Sequence, residues 1–242
     1  MSSPRGLIRT LLIALVATPA LLHGEKPVTA DPNFPQVLER FLSLDESESP
    51  AYRALRRLEV KNEQQTVTAW MDVWTEADGA GGFTYDVVAQ GGSGMVRSKV
   101  FIGSLEAEKK MMQPGAPGRA ALTRDNYTFE AGQRVGGLAA LAVTSRRPDV
   151  MLINGSIFLK PETGDLVRLE GRLAKAPSFW IRQVDVVRCY QRIAGVRLPV
   201  SLEAVAKVRM GGRNTFHMTY QYETVNGRRV GEPDLRLAQV QP

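Results

Sequence analysis

Apolar and polar residues alternate with a period of two along most of the chain after residue 50. The alternation is clearest in 65–75, where Met71 and Val73 would share one face and Trp70 and Trp74 the other. Such a pattern is typical of strands that turn one face to a core and the other to solvent. It limits the fold more than any other feature, because only two segments have a helical period, and it predicts a mainly β chain.

The predicted strands are short and closely spaced along the chain. Asn154-Gly155 is interpreted as a hairpin turn, because both residues tolerate the positive φ of a type I′ turn. Helices are predicted over 34–44 and 95–112, the second capped by Ser93, and they are too few for repeated βαβ units. The fold is therefore expected to be an antiparallel, curling sheet with helices packed on one face, its strands at 52–61, 65–75, 83–90, 127–130, 138–145, 150–154, 156–160, 166–173, 179–193, 196–210 and 214–225.

The first 24 residues have the pattern of a secretory signal. Arg5 and Arg9 precede an apolar run over 10–22, and small residues follow it. The run is shorter than the roughly 20 residues that span a bilayer. Cleavage is expected after residue 20, 24 or 30, and an uncleaved anchor is the alternative. We therefore expect an exported protein, periplasmic or, without an outer membrane, secreted, with no transmembrane segment left after cleavage.

The rest of the chain is expected to form one domain. The net charge of +6 is spread over the chain, so a nucleic-acid partner is not expected. Cys189 is the one cysteine, which leaves no intramolecular disulfide to form. The predicted organisation, with a monomer as the expected state, is a signal over 1–24, a flexible leader over 25–33, a single domain over 34–230 and a polar tail over 231–242.

Histidine is too scarce for the usual catalytic and metal sites. His23 falls in or beside the predicted signal, which leaves His217. One histidine and one cysteine do not suffice for a zinc site, and no Gly-x-Ser-x-Gly motif supplies a nucleophilic serine. The glycine-rich stretch 91–94 would match a dinucleotide-binding loop only if position 97 were Gly or Ala, but this residue is Arg97. The start of a helix is therefore the favoured interpretation of this stretch. No metal or cofactor is expected.

Acidic residues near strands leave a hydrolase with two catalytic carboxylates as the least favoured option. The candidates are Glu130, Asp165, Glu170 and Asp185. The favoured interpretation is that they are surface charges balancing nearby arginines. We therefore expect the protein not to be an enzyme.

Apolar side chains are abundant on the predicted strand faces. A curved sheet leaves its concave side to be filled by helices, by its own side chains or by a ligand. An ordinary core and a ligand cavity fit the pattern equally well. The candidate ligand-binding residues are Trp70, Trp74, Met71, Phe83, Phe179, Trp180, Phe216, Met218 and Tyr220.

Several segments resemble LolA-like outer-membrane lipoprotein-sorting proteins. The likeness covers roughly 35–226 and is clearest over 120–226. Its motifs are strand patterns rather than catalytic signatures, and the lipobox cysteine of the receptor-type members is absent. The segments are Asn126-Tyr-Thr-Phe-Glu-Ala-Gly, Leu141-Ala-Val-Thr-Ser-Arg-Arg-Pro, Asn154-Gly-Ser-Ile-Phe-Leu, Gly164-Asp-Leu-Val-Arg-Leu-Glu-Gly, Pro177-Ser-Phe-Trp-Ile, Ile193-Ala-Gly-Val-Arg-Leu-Pro and Met218-Thr-Tyr-Gln-Tyr.

The resemblance implies a mainly β (α+β) fold, in which a strongly curved antiparallel sheet forms a half-open β-barrel with helices over its concave face. It also implies a hydrophobic cavity there. The expected function is to bind a lipid acyl chain or a lipoprotein for transport or sorting in the cell envelope. The alternative on the same fold is a module that binds an envelope protein or senses stress.

Overall fold

The computed structural model describes residues 33–44, 50–113, 117–209 and 212–232. The predicted signal over 1–24 and its cleavage sites lie outside these residues. Nearly all of the predicted leader and of the polar tail also lie outside them.

All the described strands belong to one antiparallel sheet of eleven strands. Its order is β3-β2-β1-β10-β9-β8-β7-β6-β5-β4, and the short β11 pairs with β10. The strands are β1 (Ala51–Lys61), β2 (Val67–Asp78), β3 (Phe83–Gly92), β4 (Tyr127–Val135), β5 (Leu138–Ser145), β6 (Ile153–Leu159), β7 (Leu166–Leu173), β8 (Ile181–Ile193), β9 (Val196–Val208), β10 (Gly212–Val225) and β11 (Arg228–Arg229).

Two helical stretches accompany the sheet. The first is α1 (Phe34–Ser43). The second, called the helix segment below, covers 94–112 and consists of α2 (Gly94–Val96), a π-helical stretch (Arg97–Ile102) and α3 (Gly103–Met112). The Ser93 hydroxyl accepts a hydrogen bond from the Val96 amide at 3.4 Å, which confirms the predicted N-cap.

The topology joins two meanders through one non-local pairing. β1 to β3 form the first meander and β4 to β10 the second, and β1 pairs with β10. β3 and β4 stand at opposite edges of the described sheet. The chain between them, including the helix segment, must therefore cross the sheet from edge to edge. An open, curved sheet with helices on one face is thus confirmed.

The inner face of the sheet carries two apolar clusters, each under one helical stretch. Val37, Leu38 and Phe41 of α1 pack on the half formed by β4 to β7. Phe101 and Leu105 of the helix segment pack on β1 to β3 with β9 and β10. Both helical stretches therefore bury their apolar stripe against the sheet, as amphipathic helices do.

The hairpin turn predicted at Asn154-Gly155 is wrong, because both residues lie within β6. A Cβ added to Gly155 would come within 2.1 Å of the Glu170 carbonyl oxygen and 2.4 Å of the Gly171 Cα. The glycine therefore serves a close approach of the β6 and β7 backbones rather than a positive φ. The connection between β5 and β6 instead runs through 146–152.

The strand predicted over 179–193 begins two residues later, at Ile181. Phe179 and Trp180 precede it in a turn that the Ile181 amide closes by donating to the Ser178 carbonyl at 3.2 Å. The exposed fractions of the two aromatic residues are 71% and 60%. A turn after Pro177 holds them off the sheet, so their apolar character did not mark a buried strand.

We expect Gly155→Ala to lower the free energy of unfolding by about 1–3 kcal/mol, because the added methyl group would meet backbone atoms that cannot move aside. Gly103→Ala is the matched control. Nothing lies within 4 Å of the Cβ position at Gly103, and alanine in a helix should stabilise by about 1 kcal/mol. Urea unfolding of both variants measures the difference. Equal stability of the Gly155→Ala variant and the parent would contradict the close approach.

Candidate ligand cavity

A cavity of about 420 Å³ lies on the inner face of the sheet, between the two apolar clusters. Its volume falls in the roughly 300–1,000 Å³ range of small-molecule sites. Among the described residues that line it, Arg188 and Arg197 carry charge and none is acidic. The lining consists of Ala120, Ala121, Leu122, Tyr127, Val150, Met151, Ile153, Leu166, Leu169, Leu173, Val184, Val186, Arg188, Tyr190, Arg197, Leu202 and Ala204.

The cavity lies over the middle of the sheet because the inward-facing side chains there are short. Val186 on β8 lies opposite Ala204 on β9 and opposite Gly171 on β7. α1 packs toward one side of these strands and the helix segment toward the other. Neither helical stretch of the described chain packs over these positions, and the small side chains there do not fill the space above them.

One wall of the cavity is held by a buried carboxylate, Asp149. Arg119 donates from Nε to its Oδ2 at 2.8 Å, and the Met151 amide donates to its Oδ1 at 3.0 Å. The hydrogen bond from Arg119, followed by that from Met151, lowers the pKa of Asp149 to about 2. The carboxylate therefore stays ionised at neutral pH and fixes the connector that carries Val150 and Met151 into the cavity.

Asn126 holds the adjoining part of the same wall. Its Nδ2 donates to the carbonyl oxygens of Gly118 at 2.8 Å and Ala121 at 2.7 Å. Its Oδ1 accepts from Arg147 Nη1 at 2.6 Å. A buried amide satisfied on both sides keeps the 118–121 turn against the cavity.

A polar cluster joins the helix segment to the sheet beside the cavity. Arg56 on β1 is 1% exposed and donates to both oxygens of Glu108, from Nη1 at 2.5 Å and from Nη2 at 2.8 Å. Nη2 also donates to the Tyr52 hydroxyl at 2.7 Å, and the ring centroid of Tyr220 lies 4.6 Å from the guanidinium carbon. This bidentate pair neutralises the buried charge and fixes α3 on β1.

Arg188 is the second arginine on the inner face. It projects from the middle of β8, opposite Leu169 on β7 and Leu202 on β9. Tyr190, two residues further along the same strand, lines the cavity beside it. The Nε of Arg188 is buried without a hydrogen-bond partner, and no carboxylate among the described residues forms an ion pair with it. The cavity therefore has a cation in an otherwise mostly apolar wall.

A wider depression of about 720 Å³ adjoins the cavity. Leu166, Tyr190 and Arg197 line both spaces. The guanidinium carbon of Arg197 lies 5.5 Å from the ring centroid of Phe41 on α1. The edge of the cavity is thus shared with this depression and lies close to α1.

The candidate ligand-binding residues predicted from the sequence lie in three places, and none of the nine lines the cavity. Met71, Phe83, Phe216, Met218 and Tyr220 are on the inner face, in or against the cluster under the helix segment. Phe179 and Trp180 are the exposed pair before β8. The remaining two, Trp70 and Trp74, lie on the outer face.

The two outer-face tryptophans cover arginines. The guanidinium carbon of Arg57 lies 4.4 Å from the Trp70 ring centroid, and that of Arg53 lies 3.9 Å from the Trp74 ring. The predicted alternation in β2 is confirmed, because Met71 and Val73 are buried on the inner face. The sequence did not indicate the cavity lining itself, whose members are short aliphatic side chains and arginines at inward positions.

The acidic residues weighed as catalytic candidates are mostly paired with arginines. Asp185 accepts from Arg172 Nε at 3.0 Å, and Glu170 lies 3.2 Å from Arg168 Nε. Asp165 lies 2.5 Å from Arg192 Nη2. These contacts match the interpretation of the acids as charges balanced by arginines.

Within the described ranges, no group of three or more His, Cys, Asp or Glu side chains is placed to hold a metal ion.

No helix in the described part of the chain is long and apolar enough to cross a membrane.

The chain matches no protein-family model and no curated protein. It is similar to a solved structure, the crystal structure of LolA superfamily protein NE2245 from Nitrosomonas europaea, with 7% sequence identity and a TM-score of 0.40. The match covers 84% of this chain and 96% of that chain.

We expect Glu108→Ala to lower the free energy of unfolding by about 3–5 kcal/mol, because it leaves the Arg56 charge buried and unpaired. The double variant Arg56→Met, Glu108→Leu should recover most of the loss, since it removes both charges. Glu76→Ala, which breaks an exposed pair with Arg53, is the control and should cost less than about 1 kcal/mol. Urea unfolding checks all three, and a Glu108→Ala variant as stable as the control would contradict the role of the pair.

Proposed function

We propose that this chain is a non-enzymatic, exported binding protein that holds a lipid acyl chain, free or attached to a lipoprotein, in the inner-face cavity. The observation that carries the proposal is the cavity of about 420 Å³ with its mostly aliphatic lining. Burying an acyl chain gains about 0.8 kcal/mol per CH₂. A dry apolar cavity therefore suffices for binding, without catalytic groups.

Transport or sorting in the cell envelope is the role that we propose for such binding. The signal pattern in the first 24 residues supports export. The side wall of the cavity, held by Asp149 and Asn126, supports a space formed before the ligand arrives, which lowers the entropic cost of binding.

We expect Val186→Trp to abolish binding of the neutral apolar probe N-phenyl-1-naphthylamine, because the indole would occupy the cavity. Val187→Trp is the matched control. Val187 is the next residue of β8, faces away from the cavity and is 37% exposed. The control should bind the probe as the parent does.

Probe fluorescence titration measures this binding, and urea unfolding shows whether each variant is folded. Native mass spectrometry of the purified parent should also detect a co-purified acyl compound. A parent that binds neither probe nor lipid would overturn the proposed function. A Val186→Trp variant that is folded and binds normally would place any binding elsewhere.

A second candidate function, contact with an anionic lipid surface, is favoured by the exposed pair Phe179 and Trp180. Arg209 lies beside it, with its guanidinium carbon 4.4 Å from the Phe179 ring centroid. Lys175 and Arg182 flank the pair in sequence and are exposed. Aromatic rings settle at membrane interfaces, and each nearby cation adds about 1 kcal/mol on anionic lipid.

We expect the double variant Phe179→Ser, Trp180→Ser to lose most of its sedimentation with phosphatidylglycerol vesicles. Met95→Ser removes an apolar side chain that is 73% exposed on the helix segment and should leave sedimentation unchanged. Phosphatidylcholine vesicles should bind the parent more weakly. Equal binding of the double variant and the parent, or none by the parent, would contradict this role.

A further inference from the structure

We infer that the cavity selects amphiphiles with an alkyl chain and an anionic group, and that Arg188 binds the anion. This inference rests on the proposed function, since it concerns the ligand of the same cavity. The shared chemistry is a carboxylate or a phosphate on an alkyl chain.

The first observation is a charge imbalance on the inner face. Arg56 and Arg188 are both inward-facing arginines on this face, at β1 and β8. Glu108 forms its bidentate ion pair with Arg56, and no carboxylate pairs with Arg188 among the described residues. Of these two inward-facing guanidinium groups, one thus has a carboxylate partner and the other has none. A buried charge is costly unless it is paired, and an anion in the cavity would supply the missing partner.

The second observation is the position of the Arg188 side chain. Arg188 lines the cavity and has no ion-pair partner among the described residues. The side chain leaves β8 on the cavity face, between Leu169 on β7 and Leu202 on β9. A guanidinium offers five N–H donors in a planar fork that matches carboxylate and phosphate oxygens. A guanidinium that lines the cavity without an ion-pair partner is therefore suited to bind such an anion.

The third observation separates Arg188 from the other arginine in the lining. Arg197 lies against the Phe41 ring of α1, at the edge shared with the wider depression. Arg188 is surrounded in the lining by Leu169, Val186 and Leu202, which would contact the alkyl chain of the ligand. An anion at Arg188 would thus have its chain among aliphatic side chains.

The test is displacement of N-phenyl-1-naphthylamine from the full chain by three ligands of equal chain length, used below their micelle concentrations. They are dodecanoate, dodecyl phosphate and methyl dodecanoate. We expect at least one anionic ligand to bind about tenfold or more tightly than the neutral ester, as a charge-assisted hydrogen bond provides. A preference for dodecanoate points to a fatty acid and one for dodecyl phosphate to a phosphate monoester.

Arg188→Met should abolish this preference while the ester still binds. Arg172→Met is the matched control, because Arg172 on β7 is exposed and pairs with Asp185 at the surface, and it should keep the preference. Arg188→Gln, which retains hydrogen bonding without charge, should lose it too and serves if the Met variant does not fold.

The two proposals fail in different ways. Equal affinity of the parent for acid, phosphate and ester, or a preference that survives both Arg188 substitutions, would overturn the inference and leave acyl binding intact. Failure of all three ligands to displace or bind would overturn the proposed function itself.

Discussion

The ion pair between Arg56 and Glu108 determines how the helix segment rests on the sheet. The guanidinium of Arg56 lies among aromatic rings of the sheet. The carboxylate that neutralises its charge therefore comes from an element outside the sheet. Glu108 is that acid, and its two hydrogen bonds fix α3 in both position and rotation. Apolar contacts of Phe101 and Leu105 add packing, but apolar contacts alone allow an element to slide.

The cavity follows from this placement. The helix segment is fixed over β1 and does not cover the central strands. The other helix, α1, packs against β4 to β7. The inner face is therefore covered by the helix segment on one side and by α1 on the other, and the cavity lies between them. Arg188 lines that space, and unlike Arg56 it forms no ion pair with a carboxylate among the described residues.

The sequence predicted the parts of the fold that depend on local patterns. The bounds of β5 and β7 were predicted to the residue, and α1 to within one residue at its end. Asn154-Gly155 was misread because a glycine that admits a close neighbour looks the same in sequence as one that turns the chain. Phe179 and Trp180 were misread because exposure is set by the turn before them rather than by their own character.

The candidate site was harder to predict for a physical reason. Periodicity assigns a side chain to a face, and it assigned Trp70 and Trp74 to one face and Met71 to the other correctly. It does not say which strands become neighbours, so it could not show that short residues such as Val186 and Ala204 meet. A large aromatic residue on the inner face can pack in the core as well as line a cavity. In this protein the cavity lies where the side chains are small.

The pairing of β1 with β10 has a consequence for the order of folding. β1 and β10 are far apart along the chain, so the two meanders cannot join until both strands have been made. Local hairpins form early, whereas contacts of this sequence separation come late. Until then β1 has one unpaired edge, which is a surface that other chains can pair with.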